Sequence, residues 1–268
     1  MDLQLTGRRA LVSGGSKGIG LAIARALLAE GVAVAISARG EDVAETAAAL
    51  AAEARDRGAG GTVVGVRADT RDDASVRAAV AEVVARLGGL DILVNTAAAP
   101  WIHGRLPSLE TTDDIMREHF ETKALGYLRT ARAAAPHLIA NGWGRIINIS
   151  GLGARSAGSP AQTVRNVAVS AITKNLADEL GPHGVNVTVV HPGVTRTEAV
   201  RDRVARIAAE EGLSVEDAEV RMAGNSIHRL IDASEVADVV TFLASPRSVA
   251  ITGDAIAVGG GVPGPVYY

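Results

Sequence analysis

Cysteine is absent from this sequence of 268 residues, and aromatic residues make up only 3% of it. Without cysteine the chain has no disulfide, no thiolate nucleophile and no cysteine-ligated metal. With so few aromatic rings, a core must be built mostly from Ala, Val, Leu and Ile, since hydrophobic residues reach 47%. This composition is ordinary for a soluble globular protein with a substantial core.

The sequence also lacks a basic excess and long apolar runs. The 27 Lys and Arg residues are fewer than the 30 Asp and Glu residues, which gives a net charge of −3. Binding to nucleic acid or to an anionic membrane needs a clustered basic surface. No apolar run is long enough to span a bilayer, no secretory signal is seen, and no H-E-x-x-H spacing suggests a metal. We therefore expect a cytoplasmic enzyme or binding protein with a small-molecule ligand and no metal, nucleic acid or membrane partner.

Short apolar runs alternate with Ala-rich helical patterns along the whole chain. Strands this continuously apolar are buried on both faces of a sheet, and repeated strand-helix alternation indicates a parallel sheet. The predicted strands are "RALVSG", "VAVAISA", "TVVGVRA", "LDILVNTA", "GRIINIS", "VNVTVVHP" and "DAIAVG". The predicted helices lie near 18–30, 41–57, 72–87, 112–140, 160–181 and 234–245. No linker interrupts them, so the sequence predicts one α/β domain over 1–268, a doubly wound parallel sheet of the Rossmann type.

One segment departs from this alternation. Residues 196–228 are charged and weakly helical between two predicted strands. Open parallel sheets bind their ligands beyond the carboxyl ends of the strands, and an insertion there often closes over a substrate. We expect this segment to be a substrate lid; the alternative is a pair of solvated surface helices.

A glycine-rich turn follows the first predicted strand and opens a helix. Gly14, Gly18 and Gly20 in "LVSGGSKGIGLAIARALL" have the spacing G-x-x-x-G-x-G. Glycines let the backbone approach a pyrophosphate, which then lies on the free N–H groups at the start of the helix. Such a pattern alone is weak, but its place between the first strand and a helix is the context that dinucleotide binding requires.

The end of the second strand predicts which dinucleotide is bound. An acid there would bind a ribose 2′-hydroxyl and repel a 2′-phosphate, but this chain has Ala38 and then Arg39. Arg39 can pair with a phosphate in bidentate fashion, and Lys17 in the glycine turn adds a second cation. These residues favour NADP(H) over NAD(H); the alternative is that both are solvated surface charges.

Several motifs together resemble those of the short-chain dehydrogenase/reductase family, over essentially the whole chain. "SGGSKGIG" is similar to its T-G-x-x-x-G-I-G turn, "LVNTAAAP" to its N-N-A-G element and "VVHPGVTRTE" to its P-G-x-x-x-T element. "RLIDASEVADVVTFLAS" and "ITGDAIAVGGG" resemble its C-terminal run. The resemblance implies a nicotinamide cofactor and a homodimer or homotetramer. The cofactor-binding residues that we predict are Gly14, Ser16, Lys17, Gly18, Ile19, Gly20, Arg39, Asp69, Thr70, Asn95, Ala97, Pro192, Gly193, Val194 and Thr197.

The catalytic residues of that family are missing. The family uses a Tyr-x-x-x-Lys pair, in which the tyrosine moves a proton at the carbonyl and the lysine lowers the tyrosine pKa and holds the ribose. A Ser polarises the substrate oxygen, and an Asn anchors a water chain. The resemblance places Gln162 at the Tyr, Asn166 at the Lys, Gly151 at the Ser and Lys123 at the Asn. A carboxamide cannot donate a proton at neutral pH as a phenol can, although Gln162 could still polarise a carbonyl.

Lys and Asn have exchanged helices in this comparison, since Lys123 stands where the family has Asn and Asn166 where it has Lys. Both helices face the active site in the family. We hypothesise that Lys123 supplies the missing cation, to hold the ribose or to protonate an oxyanion, because a desolvated lysine can titrate near neutrality. Tyr127, four residues later, is either a displaced acid or a packing residue.

Five further polar residues are weaker candidates. Ser150 keeps a hydroxyl one residue from the expected Ser and could contact substrate. His103, beyond the fourth strand, has a suitable pKa but could be merely solvated. His191 precedes the P-G element, and its alternative role is merely to pack beside the nicotinamide loop. Arg155 and Arg165 could each bind an anionic substrate or be a surface charge, and for Arg165 we favour the surface charge.

Three functions remain open. The first is an NADP(H)-dependent carbonyl or alcohol oxidoreductase with a rebuilt proton-relay site. The second is a non-redox enzyme on the same scaffold, such as a dehydratase, isomerase or cyclase. The third is a non-catalytic NADP(H)-binding protein. The first is favoured by resemblance alone, since a fold does not fix a function.

Overall fold

Seven parallel strands form the central sheet in the computed structural model, which describes residues 1–58, 61–99 and 106–263. The strands are β1 (Arg9–Ser13), β2 (Ala33–Ala38), β3 (Val63–Arg67), β4 (Ile92–Asn95), β5 (Gly144–Ile149), β6 (Val185–Pro192) and β9 (Ala255–Val258). Every pairing is parallel, and the order across the sheet is β3-β2-β1-β4-β5-β6-β9. All seven predicted strands are confirmed, as is the doubly wound α/β fold.

Helices cover both faces of this sheet. They are α1 (Gly18–Ala29), α2 (Val43–Asp56), α3 (Asp73–Leu87), α4 (Asp113–His119), α5 (Gly126–Ala140), α6 (Pro160–Leu180) and α9 (Ala233–Ala244). On one face, α1, α2 and α9 bury aliphatic residues such as Ile23, Leu27 and Val240. On the other face, α3, α5 and α6 bury residues such as Val83, Leu138 and Leu176. The core is aliphatic, as the composition predicts.

The strand order reverses next to β1. From β1 the chain first extends the sheet through β2 and β3, and then crosses to β4 on the opposite side of β1. The crossovers on the two sides run over opposite faces, so a crevice opens beyond the carboxyl ends of β1 and β4. Open α/β sheets bind ligands at this point.

A single long helix was predicted over 112–140, and the structure divides it. Thr112 caps α4 by accepting a hydrogen bond from the Ile115 backbone N–H. A π-helical turn over Phe120–Leu125 follows, and α5 continues from it without a break. A π turn accommodates one more residue than an α turn and is frequent at functional sites. Lys123 lies within it.

The charged insertion is helical. It contains β7 (Thr195–Arg196), α7 (Glu198–Glu211), α8 (Val215–Ala223) and β8 (Ile231–Asp232), and β7 pairs with β8 in a small parallel sheet. The two helices enclose their own apolar cluster, which includes Val204 and Ala218. Arg196 bonds Glu219 of α8 at 2.8 Å and so ties the insertion together. A role as a lid stays a prediction.

Within the described ranges, no helix is both long enough and apolar enough to cross a membrane.

Candidate active site

The glycine turn between β1 and α1 leaves no room for a side chain at Gly14 or at Gly20. Gly14 has a φ of +76°, and a Cβ there would lie 2.7 Å from the Ala97 backbone nitrogen and 2.7 Å from Thr96 Oγ1. A Cβ on Gly20 would collide with the Gly14 carbonyl oxygen. The first turn of α1 contains no acid, so the positive end of its dipole is uncompensated. The turn therefore fits a pyrophosphate on the α1 N-terminus.

Thr96 holds this turn in place, a role that the motifs did not predict. Its hydroxyl lies 2.7 Å from the Ser13 carbonyl oxygen and 3.0 Å from that of Gly14. Thr96 is one of the substitutions within the N-N-A-G-like element, and this departure from the motif is the only sequence signal for its role.

Substituting Gly14 by alanine should weaken NADPH binding at least tenfold and lower the melting temperature, because the new Cβ meets Thr96 and Ala97 in a left-handed conformation. Gly7 is the matched control, since its φ is +81° and a Cβ there meets nothing within 4 Å. Fluorescence titration with NADPH and thermal melts of both variants make the comparison. Equal losses of NADPH affinity in Gly7→Ala and Gly14→Ala would contradict the inference that NADPH binding depends on the absence of a Cβ at Gly14.

A cleft of about 510 Å³ opens beyond the carboxyl ends of β1, β2 and β4. Most of the predicted cofactor residues and two predicted catalytic residues line it. These are Gly14, Ser16, Lys17, Ile19, Gly20, Arg39, Thr70, Ala97, Thr197, Lys123 and Ser150. The cleft is elongated, with Arg39 near the end of β2 and Ser150 near the end of β5. This extent suits a dinucleotide.

The cationic end of the cleft contains Arg39 and Lys17, both exposed. Ala38 ends β2, so no acid stands at the strand end. Asp42 also lines the cleft, at the residue before α2. A contact of these two cations with a 2′-phosphate stays a prediction.

Other predicted cofactor residues lie outside the residues that line this cleft. Asn95 is fully buried below it, where Nδ2 donates to Asn148 Oδ1 at 2.9 Å and Oδ1 accepts from the Thr130 hydroxyl at 2.7 Å. These bonds connect β4 to β5 and α5, and the cofactor role of Asn95 stays a prediction. Asp69 is paired with Arg71 at 2.7 Å, and this hydrogen bond lowers the pKa of its carboxyl group.

The P-G element packs against the last strand. The Gly193 backbone N–H donates to the Val258 carbonyl, and a Cβ on Gly193 would lie 2.8 Å from the Gly259 Cα. Pro192, Val194 and Gly18 do not line the cleft either, although a Cβ on Gly18 would face Thr197 at 3.3 Å. Their cofactor roles stay predictions.

Lys123 and Asn166, the exchanged pair, are in direct contact. Lys123 Nζ donates to the Ser150 carbonyl oxygen at 2.9 Å and to Asn166 Oδ1 at 3.1 Å. The Lys123 side chain is buried, 4% exposed, yet it lines the cleft. Burial, together with the charge of Arg165, lowers the pKa of Lys123 well below its ordinary value. The structure thus places a buried amine at the cleft between α5 and α6.

Ser150 is bonded to Asn166, whereas Gln162 lies one turn earlier on α6. Ser150 Oγ donates to the Asn166 carbonyl oxygen at 3.0 Å, which occupies its proton in a structural bond. Gln162 is half-buried on the first turns of α6 and is not among the cleft-lining residues. Gly151 has a φ of 172°, which any residue can adopt, and a Cβ there would lie 3.2 Å from Asn166 Nδ2.

Tyr127 is a packing residue in this structure. It is 1% exposed in a cluster with Val169 and Val189, and its hydroxyl donates to the Ile149 carbonyl oxygen at 3.0 Å. Burial raises its pKa, so the phenol is a poorer acid than usual. The packing alternative therefore fits Tyr127 better than the displaced acid.

The surface interpretation of Arg165 is wrong. Its Nη1 donates to His119 Nδ1 at 2.5 Å, and its Nε is buried without a hydrogen-bond partner among the described residues. Burial lowers the pKa of its guanidinium group. An arginine on the first turns of an amphipathic helix is usually solvated, so its inward direction was not predictable from the sequence.

His191 is buried beside Gly151. Its Nδ1 lies 3.4 Å from the Gly151 backbone nitrogen and its Nε2 3.4 Å from Ser170 Oγ. Burial lowers the pKa of His191 to about 4, so this imidazole stays neutral at physiological pH. The Arg155 side chain reaches the Ala255 carbonyl at the edge of β9, and His103 lies outside the described residues.

No group of three His, Asp or Glu side chains within 1–58, 61–99 and 106–263 could hold a metal ion.

Similarity to known proteins agrees with this geometry. Residues 14–263 match the family model described as enoyl-(acyl carrier protein) reductase. The short-chain reductase protein NovJ of Streptomyces niveus is 34% identical over 256 residues, which are 95% of this chain and 93% of that protein. The chain therefore belongs to the short-chain dehydrogenase/reductase family, and its similarity is to reductases and oxidoreductases.

Two solved structures show the same architecture. L-Sorbose reductase from Gluconobacter frateurii, complexed with NADPH and L-sorbose, has a TM-score of 0.91 and 28% identity, covering 99% of this chain and 100% of that one. A variant of actinorhodin polyketide ketoreductase with NADPH has a TM-score of 0.84 and 32% identity, covering 95% and 97%. Both of these neighbours are NADPH complexes.

Proposed function

We propose that this chain is an NADP(H)-dependent oxidoreductase that reduces a carbonyl with NADPH or oxidises the corresponding alcohol with NADP⁺, and in which Lys123 moves the proton that a tyrosine moves in the family. The buried contact of Lys123 Nζ with Ser150 and Asn166 carries this proposal. It holds an amine in a cleft suited to a dinucleotide, where the resemblance expects an Asn. NADPH supplies a hydride when it is bound.

Lys123 suits the proton step because of its surroundings. A lysine with its ordinary pKa is a weak acid, but burial lowers the pKa of this one. Its ammonium form is then a stronger acid toward a developing alkoxide, and its amine form can accept the proton of an alcohol. The two acceptors on Ser150 and Asn166 fix two of its N–H directions, which leaves the third for substrate.

Asn166 and Ser150 act on Lys123 in this proposal. Asn166 Oδ1 accepts a hydrogen bond from Nζ, and the Ser150 hydroxyl bonds to the Asn166 backbone. Both therefore position the amine. Gln162 could polarise a substrate oxygen as a hydrogen-bond donor, but it cannot supply the proton.

NADPH preference rests on Arg39 and Lys17. Arg39→Ala should weaken NADPH binding at least tenfold and leave NADH binding within twofold, because only NADPH carries the phosphate that Arg39 would pair with. Arg77→Ala, which removes an exposed arginine paired with Asp73 on α3, is the control for net charge. Fluorescence titrations with both dinucleotides measure the effect. A parallel loss of NADH affinity would argue against a phosphate contact.

Residues 196–228 are the proposed lid over the substrate. Thr197 lines the cleft at the start of α7, and Arg196 links that start to Asp232 at 2.5 Å as well as to α8. A homodimer or homotetramer is expected too, and α6 exposes Val164 and Val167. Oligomer size and the cytoplasmic location both stay predictions.

A panel assay separates the three candidate functions. NADPH fluorescence should change on binding in every case. Consumption of NADPH with aldehydes or ketones supports the reductase. Product formed while NADPH is not consumed would favour a dehydratase, isomerase or cyclase. Binding without any turnover would favour a non-catalytic NADPH-binding protein.

A further inference from the structure

Arg165 offers hydrogen-bond donors that the described residues do not use. A guanidinium group has five N–H donors, and among the described residues the only hydrogen bond of Arg165 runs from Nη1 to His119. Because arginine has no acceptor, the His119 Nδ1 atom accepts and its ring proton lies on Nε2. The Nε atom is fully buried without a partner, while Nη2 is not sealed off. One edge of the guanidinium group thus makes no bond within the described chain.

That edge is the one with which other arginines of this chain hold carboxylates. Arg9 binds Asp91 through Nε at 2.7 Å and Nη2 at 2.9 Å. Arg196 binds Glu219 through the same two atoms. Planar pairing of this sort is the geometry that arginine and a carboxylate favour.

The surroundings of Arg165 contain a second cation and no acid in contact. Lys123 is close enough for the charge of Arg165 to affect it, and no Asp or Glu forms an ion pair with either residue in the described ranges. The residues outside those ranges include no Asp or Glu either. Uncompensated buried charge is costly, and an anion that binds here removes that cost.

Arg165 is also adjacent to the proposed site. It precedes Asn166 on α6, and Asn166 bonds the Lys123 amine at the cleft. His119, its partner, stands one turn before Lys123 on the facing helix. Arg165 itself does not line the cleft, so a substrate whose carbonyl lies at Lys123 meets the guanidinium group where it extends from the cleft toward His119.

We propose that the Nε/Nη2 edge of Arg165 binds a carboxylate of the substrate, which makes the substrate class an oxo acid. The identification of this carboxylate as part of a substrate rests on the proposed reductase function, but binding of an anion at Arg165 can be tested without turnover. A carboxylate from a second copy of the chain is the competing source of the anion, and the experiment below distinguishes it.

Binding of oxamate to the NADPH-loaded protein tests the site. Oxamate carries a carboxylate and an unreactive carbonyl, and isothermal titration measures its affinity. We expect wild type to bind it, Arg165→Gln to bind it about 10- to 100-fold more weakly, and Arg165→Lys to fall between them, because a charge-assisted bidentate contact is lost. Arg117→Gln, which removes an exposed arginine of α4, should bind it like wild type.

Kinetics with 2-oxobutyrate and 2-oxobutanamide make the second measurement. Wild type should prefer the acid in kcat/KM, and Arg165→Gln should lose that preference while it keeps turnover of the amide. Equal oxamate affinity in wild type and Arg165→Gln overturns the anion site. A second result would also overturn it. If Arg165→Gln dissociates an oligomer on sedimentation while oxamate binding is unchanged, the Nε/Nη2 edge of Arg165 binds a carboxylate of a second copy of the chain.

The two proposals fail in different ways. If no carbonyl compound is reduced but oxamate binding depends on Arg165, the reductase function fails and the anion site stands. If carbonyl compounds are reduced and the acid has no advantage over the amide in wild type, the reductase function stands and the anion site fails. Melts of Arg165→Gln show whether it folds; should it not, Arg165→Lys carries the comparison.

Discussion

Replacing Lys123 by methionine is expected to lower kcat for carbonyl reduction by roughly 10²- to 10⁴-fold, the usual contribution of a positioned proton donor. Methionine keeps the length and apolar character of the buried side chain but has no proton to move. NADPH affinity should change less than tenfold if Lys123 acts on the substrate oxygen, and more if it holds the ribose. Steady-state kinetics and NADPH titration together make this distinction.

The matched control for this variant is Lys174→Met. Lys174 lies exposed on α6, where it pairs with Asp178 at 2.7 Å, so its loss should leave kcat unchanged. Turnover and NADPH affinity that both equal wild type in Lys123→Met would remove Lys123 from the site.

The same variant has a signature in stability against pH. Burial lowers the folded-state pKa of Lys123, so between that pKa and the unfolded value of about 10.4 the unfolded chain binds more protons. The free energy of unfolding of wild type, relative to Lys123→Met, should therefore rise with pH across this window and be flat below it. Urea unfolding at several pH values measures the difference, and a difference that does not vary with pH would show an unperturbed lysine.

Installing the family's four residues together is expected to create the usual proton chemistry. The variant combines Lys123→Asn, Gly151→Ser, Gln162→Tyr and Asn166→Lys. The exchange keeps the number of cations between α5 and α6 constant, and Gly151 has a backbone conformation that serine can adopt. A Cβ at Gly151 would meet the end of the Asn166 side chain, and the variant replaces that residue by lysine.

The comparison for this variant is the same set with Gln162→Phe in place of Gln162→Tyr. Only the phenol hydroxyl differs, so the tyrosine version should reduce a carbonyl panel about 10²- to 10⁴-fold faster. Equal rates would mean that the substituted helices no longer present position 162 to the substrate. Circular dichroism melts first establish that both versions fold.

The fold was predictable because its signals are local and repeated. Strands such as "AVAISA" and "RIINI" are apolar at every position, which indicates burial on both faces, and each is followed by a helix. The strands β7 and β8 were not predicted, because two residues are too few to show a hydrophobic pattern. The capping box at Asp232 and Glu235, which sets the start of α9, is a signal that could have placed the end of the insertion.

The site was predictable only where a motif directly follows the end of a strand in the sequence. The glycine turn and Arg39 lie in the cleft as expected. The buried hydrogen bonds of Asn95 were not predictable, because its partners Thr130 and Asn148 lie on other elements. The inward direction of Arg165 depends on how α4 and α6 pack, which no single-sequence pattern reports.

The π turn over Phe120–Leu125 sets which side chains of its helix meet α6. His119, Lys123 and Tyr127 all face inward, although residues eight apart in a regular α-helix differ in direction by about 80°. The additional residue in the turn offsets that drift. A deletion of one residue here would leave every site residue in the chain and still turn His119 away from Arg165 or Tyr127 away from β5. In related chains, length across this turn is therefore as informative about the site as the identity of its residues.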